Sequence, residues 1–440
     1  MSSSFPLSPL GLRLRAQGVG VILHCRPAAV ALTYLTLAAL LLLSSLTLDA
    51  IGVPYSSPDG SALLKIHPAS YLSVLSLLFW ILADGGPARF FHRSWRESPG
   101  CLVFVLVIGV VLFQALVVQK SPLSAVIDNF LLAVALFAGL QRLKPEEFRM
   151  LGFVLQLFFF LNSLIGYAEV AGHFHFVPMY ENGQLATYDW RGRALLGHPL
   201  VNAMMTGLYI ITLAMQGGPA RPSLRLFLIA FHFGAMVCFG GRTSTVLTGL
   251  VLALVGGRYF AALLMGRRFS LEAGIAAVVV LTASAIILPY ALDAGFFDKF
   301  LGRFVDDSGS ANTRLAMLSV FRELPLSEVL IAPNREIIHD TQLKLGLAIA
   351  IESAVIGSIA TYGGLVAGLL FLGVGAYLYE FVRRFGRRAL PPLAAYAVIA
   401  ASATSFATKS TEIGLLTLLL FIQFETSPTR VPPPERQAPV

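Results

Sequence analysis

Uncharged apolar runs of about 20 residues recur along this chain from one end to the other, the length a helix needs to cross the hydrocarbon of a bilayer. Within lipid, every backbone N–H and C=O needs a partner inside the segment or inside a closed barrel. A barrel strand alternates apolar and polar residues; these runs are continuous, so they read as helices. Only 13% of the 440 residues are charged, against roughly 25% in a soluble domain. That leaves too little polar surface for a water-facing globule of this size.

The expected class is therefore all-α: a polytopic integral membrane protein of about 12 transmembrane helices. The runs place them at about 28–48, 69–84, 101–118, 122–140, 149–171, 197–216, 224–240, 243–262, 270–291, 347–379, 391–408 and 411–425. With residues 1–27 on the cytoplasmic side, 20 of the 32 Lys and Arg fall in short inner segments, and half of the other 12 fall in one long outer loop. Uniformly basic inner loops follow the positive-inside rule, and both termini come out cytoplasmic. The distribution reads as membrane topology, and it argues against nucleic acid as the partner of the +8 net charge. The first run starts near Ala28 behind Arg13, Arg15 and Arg26, and reads as a retained helix. Residues 11–23 read as an interfacial helix. The membrane domain spans 28–425, and the Pro-rich tail 426–440 reads as disordered. Cys25, Cys101 and Cys238 all fall outside the outer loops, so no structural disulfide is expected.

Two outer loops are long, about 172–196 and 292–346, the second lying between helices 9 and 10. In the second, SANTRLAMLSVFREL spaces Leu315, Leu318, Phe321 and Leu324 by three and predicts an amphipathic helix on the outer surface.

Ionisable groups in or beside lipid are costly, so each is a candidate for function. Glu352 lies in an apolar run otherwise free of charge; it suits a general base, or it pairs with an arginine for structure. Arg242, in FGGRTSTVL between two helices with almost no loop, is placed to fork onto a phosphate or diphosphate, or to snorkel to headgroups. Arg191 and Arg193 stand on the outer side against the charge rule; an anionic ligand explains them, and so does pairing with Asp189 or Glu181. His198 and Asn202 share a helix face. Arg314 is a further inward-facing candidate, whereas Arg322 reads as a solvated pair with Glu323 and Glu328. His339 and Asp340 precede the tenth helix. Asp128, Asn129, Glu169, His232, Lys409 and Glu412 read as helix–helix hydrogen bonds. His173 and His175 form an H-x-H without further ligands at metal spacing. The sequence holds no P-loop, dinucleotide fingerprint, G-x-S-x-G, H-E-x-x-H or paired C-x-x-C. No metal and no cofactor is expected.

From Tyr188 to Phe371 the chain resembles the O-antigen ligase and O-antigen/exopolysaccharide polymerase superfamily of bacterial inner membranes. RGRALLGHPLVNA is similar to that family's R…G…NPN-type helix start, with His198-Pro where Asn-Pro is usual. FGGRTSTVLTGL is similar to its short S-R-[ST] turn. IESAVIGSIATYGGLVAGLLF, after a long outer loop carrying Arg314, is similar to its H-N or E-N and Gly-rich helix. The resemblance implies a metal-independent glycosyltransferase whose donor is a glycan on undecaprenyl diphosphate. It implies that Arg191 or Arg193, Arg242 and Arg314 hold the diphosphate, and that Glu352 orients or deprotonates the acceptor hydroxyl. His198 and His339 are candidates for orienting the acceptor. Glu at 352, where ligases typically carry His, points to a polymerase of lipid-linked repeat units. A ligase that moves glycan to lipid A core is the alternative, and a lipid-linked glycan transporter or flippase is the reading from another class. The expected partners are the lipid-linked glycan, membrane lipids, and a chain-length regulator or flippase of the same pathway.

Overall fold

The computed structural model describes residues 9–57, 60–181, 184–185, 189–218, 221–267, 270–305, 316–346, 353–402, 406 and 408–427. Among them the regular structure is helical apart from a two-residue antiparallel ladder, Tyr180–Glu181 against Gln184–Leu185, with irregular segments between the helices. Among the described residues seven helices are long and apolar enough to cross a membrane, or eight if one bent pair counts as a single span. Two shorter apolar helices join them. This architecture is consistent with a polytopic membrane protein.

The first half comprises α1 (Pro9–Leu42), α2 (Ser45–Ala50), α3 (Pro68–Ala83), α4 (Pro87–Glu97), α5 (Pro99–Phe113), α6 (Ser124–Leu140) and α7 (Pro145–Gly172). Then come α8 (Pro199–Ala214), α9 (Pro222–Phe239), α10 (Arg242–Leu264), α11 (Leu271–Asp293) and α12 (Asp298–Val305). The last third holds α13 (Leu326–Ile331), α14 (Arg335–Lys344), α15 (Ala354–Tyr362), α16 (Gly364–Phe385), α17 (Leu390–Ala401) and α18 (Glu412–Glu425). Proline opens α3, α4, α5, α7, α8 and α9 in the first turn, where its missing N–H would have had no helical partner.

Small residues and hydroxyls hold the bundle together. On α1 and α3, Thr33 Oγ1 and Ser76 Oγ lie 2.9 Å apart, Ser76 Oγ donates to Ala29 O at 3.1 Å, and Trp80 Nε1 donates to Thr33 Oγ1 at 3.2 Å. Such bonds between membrane helices contribute about 0.6 kcal/mol each. Between α5 and α16, Gly100 N donates to Glu380 Oε1 at 2.6 Å, and a Cβ on Gly100 would sit 2.3 Å from Ala376 O. At the centre, Phe137 meets Tyr377, Phe381 and Phe421 at ring-centroid distances of 5.6, 5.3 and 4.8 Å, within the range of favourable edge and offset contacts. Every residue of α18 from Ile413 to Glu425 is buried. By contrast, none of the apolar window in α11 is buried.

The structure departs from the sequence reading in four places. Helix α1 runs unbroken from Pro9 to Leu42, so 11–23 belongs to the first helix and is not a separate interfacial one. The run expected as one helix over 347–379 breaks at Gly363, whose φ is +82° and where a Cβ would meet Ile331 O at 2.5 Å. The expected loop 292–346 carries α12, α13 and α14. Within it, the end of the expected surface helix is a 3₁₀ turn, Leu318–Phe321. Met317, Val320 and Leu324 there pack with Ile338 and Ala360 in a small protein core.

Side-chain contacts sort the helix ends into two groups. At one end, Arg26 pairs with Glu147, Arg142 with Asp84, and Arg384 with Glu425; we call this the basic end. At the other, residues 43–67, 128–129, 189–202 and 408–412 come together; we call this the loop end. These groups are the same segments that the Lys and Arg distribution assigns to one side or the other.

Candidate functional site

The segment Asp189–His198 does not pass over the bundle at the loop end. It descends into it. Leu195 N donates to Asn162 Oδ1 at 2.9 Å, and Asn162 lies ten residues before the end of α7, a descent of about 15 Å at about 1.5 Å per residue. Gly192, Arg193, Ala194, Leu196 and Gly197 are buried. Irregular backbone at such depth persists only where protein groups satisfy it, and here they do. Buried Glu169 accepts from Phe176 N at 2.6 Å through Oε1, and from Arg193 N at 2.6 Å and Ala194 N at 2.9 Å through Oε2. Asn202, on α8, donates to Arg193 O and His198 O and accepts from Asn162 Nδ2. Gly192 fits because it has no side chain: a Cβ would lie 3.1 Å from Glu169 Oε2 and 3.3 Å from Gly166 Cα. Gly197 turns the chain toward α8 at φ +76°, with Ser44 Oγ only 2.3 Å from where a Cβ would be.

This descent brings two of the predicted arginine sites together. Gly192 N, between Arg191 and Arg193, donates to Cys238 O at 2.9 Å. Cys238 precedes the turn Gly240–Gly241, and Arg242 opens α10 directly after it. Gly241 lets that turn press on α8, since a Cβ would be 2.3 Å from Ala203 Cβ. Arg193 is wholly buried and Arg242 half-buried. Arg191 closes on Asp189 in a two-pronged pair, Nε to Oδ1 at 2.8 Å and Nη2 to Oδ2 at 2.8 Å. Burial would raise the Asp189 pKa, but the bonds and charge of Arg191, with Arg193 behind, hold it below the usual carboxylate range. Its contribution to stability is thus present above that range and is lost only as the pH falls through the lowered value.

The remaining predicted residues lie elsewhere. His198 caps α8, its Nδ1 accepting from Leu200 N at 3.3 Å. His339 is exposed on α14, a helix tied by Arg335 to Ser121 and Thr361. Arg314 and Glu352 lie outside the described residues, as does Glu181's side chain.

Two cavities flank the descending segment. One of about 450 Å³ is bounded by Glu169, His173, Phe174, Asp189, Trp190 and Lys299. A smaller one, about 200 Å³, lies on the other side between Ser44, Tyr55, His67, His198, Lys409 and Glu412. Behind the smaller cavity, buried Asp128 accepts from Tyr55 Oη at 2.9 Å, Ser70 Oγ at 2.6 Å and His67 N at 3.0 Å. Lys409 Nζ sits 3.4 Å from the Tyr55 ring centroid and donates to Lys65 O at 3.0 Å. Asn129 grips the chain at 408–410 through Thr408 O and Ser410 N. Asp128, Asn129, Glu169 and Lys409, expected in helix–helix bonds, bond chiefly to irregular segments. The signal was there, as ionisable residues within or beside apolar runs, but their partners are remote in sequence. No cluster of three or more His, Cys, Asp or Glu is placed to hold a metal among the described residues.

No known protein family, curated protein or solved structure matches the chain.

Proposed function

We propose that this chain is a metal-independent membrane glycosyltransferase. It polymerises oligosaccharide repeat units carried on undecaprenyl diphosphate, at the outer face of a bacterial inner membrane. In this reading the chain crosses the membrane about 12 times with both termini cytoplasmic, and the loop end faces outward.

The observation that carries the reading is the bond from Gly192 N to Cys238 O. Through it an R-G-R segment and a G-G-R turn, far apart in sequence, meet, and Asp189 and Trp190, just before the R-G-R segment, line a cavity of about 450 Å³. A diphosphate needs several forked cations in a site shielded from water. Arg242 and Arg193 supply them at depth, and Arg191 joins when phosphate replaces Asp189. The cavity offers what a sugar ring takes: aromatic faces from Trp190 and Phe174, with imidazole, carboxylate and ammonium groups around them. Glu352 takes the proton from the acceptor hydroxyl, whose oxygen attacks the anomeric carbon. The bond to the diphosphate breaks with inversion, and undecaprenyl diphosphate leaves with its charge stabilised by the arginines. Arg314 completes the cation set.

Glycans from a deletion strain, sized on a gel as lipid-linked and surface pools, test the assignment. Single repeat units without long chains are expected. Long chains retained on undecaprenyl diphosphate and absent from lipid A would replace this reading with a ligase. Complementation with Glu352→Gln should give no polymer while the protein inserts normally; wild-type polymer would remove the base assignment. Arg242→Lys should lower polymer yield severely, because a point charge does not reproduce a fork; full yield would leave Arg242 as an anchor of the helix junction.

A further inference from the structure

At the basic end a third cavity, about 600 Å³, opens between the foot of α10 and the turn that joins α16 to α17. Arg258, Arg267 and Arg388 line it, and no carboxylate stands among the described lining residues. Glu272, at the start of the next helix, is bonded by Ser223 Oγ instead. Arg388 is held in place by its bond to Ser427 Oγ at 3.2 Å and by the Phe424 ring. Tyr259 is fixed at the wall by Gln216 Nε2, 3.1 Å from its hydroxyl. Arg258 and Arg267 repel each other across the recess unless an anion sits between them.

The rest of the lining is apolar, with Met215, Val255 and Met265 in the wall. Beside it, α10 leaves Phe260, Leu264 and Met265 exposed at 62%, 73% and 71%. A soluble phosphate would engage the arginines and leave that surface bare. An amphiphile engages both, in the manner of basic pockets between membrane helices. We propose that this recess binds an anionic phospholipid from the leaflet at the basic end, its phosphate on Arg258, Arg267 and Arg388 and its acyl chains along α10.

The test uses the purified full chain in neutral detergent, titrated with fluorescent phosphatidylglycerol and with the matching phosphatidylcholine. Saturable binding of phosphatidylglycerol is expected, with phosphatidylcholine much weaker. Arg258→Gln with Arg267→Gln should weaken phosphatidylglycerol about thirtyfold, at about fivefold for each arginine beside an anionic headgroup. The matching Arg→Lys pair should retain most of the binding, and Arg89→Gln with Arg96→Gln on α4 should leave it unchanged. Equal affinity for the two lipids, or no effect of the glutamine pair, would overturn the proposal. So would loss of binding in the α4 variant, which would move the site to that helix. Displacement of the lipid by millimolar inorganic phosphate would make this a site for a soluble anion.

Discussion

The two ends of the bundle use their carboxylates differently. At the basic end they meet arginines: Glu147 takes Arg26 in a two-pronged pair at 3.0 Å, Asp84 takes Arg142 at 2.8 Å, and Glu425 takes Arg384 at 2.6 Å. At the loop end Glu169 takes three backbone N–H groups, and Asp128 takes a backbone N–H and two hydroxyls. Asp189 with Arg191 is an ion pair within the loop-end segment. The first arrangement clamps regular helices to each other. The second holds irregular chain inside the bundle, and it leaves recesses on both sides of what it holds. A membrane protein that needs a shaped recess near the surface has reason to place acceptors, not counter-charges, at that end.

Removing the staple tests the contrast most severely. Glu169→Ala leaves the amides of Phe176, Arg193 and Ala194 without their acceptor, at about 1–3 kcal/mol for each buried group. Thermal unfolding in detergent should show a loss of at least about 3 kcal/mol, and hydrogen exchange at 192–196 should become fast. Protected amides in that variant would mean that packing, not Glu169, seats the segment. At the basic end, Asp84 offers an internal comparison, because one of its arginines is buried and the other exposed. The Arg142 side chain is 2% exposed, so Asp84→Ala strands a buried charge and should cost about 3 kcal/mol. Arg93, 50% exposed, shares the same carboxylate, and Arg93→Ala should shift stability by less than about 0.5 kcal/mol. Similar losses from the two changes would mean that burial does not decide the strength of these pairs. The smallest backbone change in the comparison is Gly197→Ala, expected to destabilise by about 2 kcal/mol through its positive φ and the contact with Ser44. Adding Ser44→Gly should recover the steric part alone; full recovery would show that the left-handed backbone is not strained there.

The sequence made the helices legible and the recesses not. Apolar runs of membrane length fix their own hydrogen bonding, and seven or eight helices of membrane length stand within those runs among the described residues. The Lys and Arg pattern groups the same segments that contacts such as Arg26 with Glu147 bring together. The break at Gly363 escaped because Tyr362-Gly363-Gly364 sits in an apolar stretch, and the close approach of Ile331 O is visible only once the chain is folded. The descent of 189–198 escaped for a similar reason: its amides bond to side chains 24 to 33 residues earlier, Arg193 N to Glu169 and Leu195 N to Asn162. Of the candidate site, Arg191 and Arg193 are visible as cations that break a charge rule, and Arg242 as an arginine at a helix junction with almost no loop. Their meeting point was not, since it depends on a single backbone bond at Gly192.

Helix α6 contains a feature whose effect reaches beyond its own turn. Ile127–Leu131 closes as a π turn, which holds one residue more than an α turn. One residue corresponds to about 100° of rotation in a regular helix, so the upper and lower parts of α6 are out of step by that angle. Asp128 and Asn129 can therefore face the loop-end segments while Phe137 faces the ring cluster. Deleting one residue here would be unlike shortening a loop. The span would remain long enough, but its polar and aromatic faces would turn about 100° against each other. At this place chain length sets phase: the helix carries one residue beyond what reach requires, and that residue keeps its two faces aimed at different neighbours.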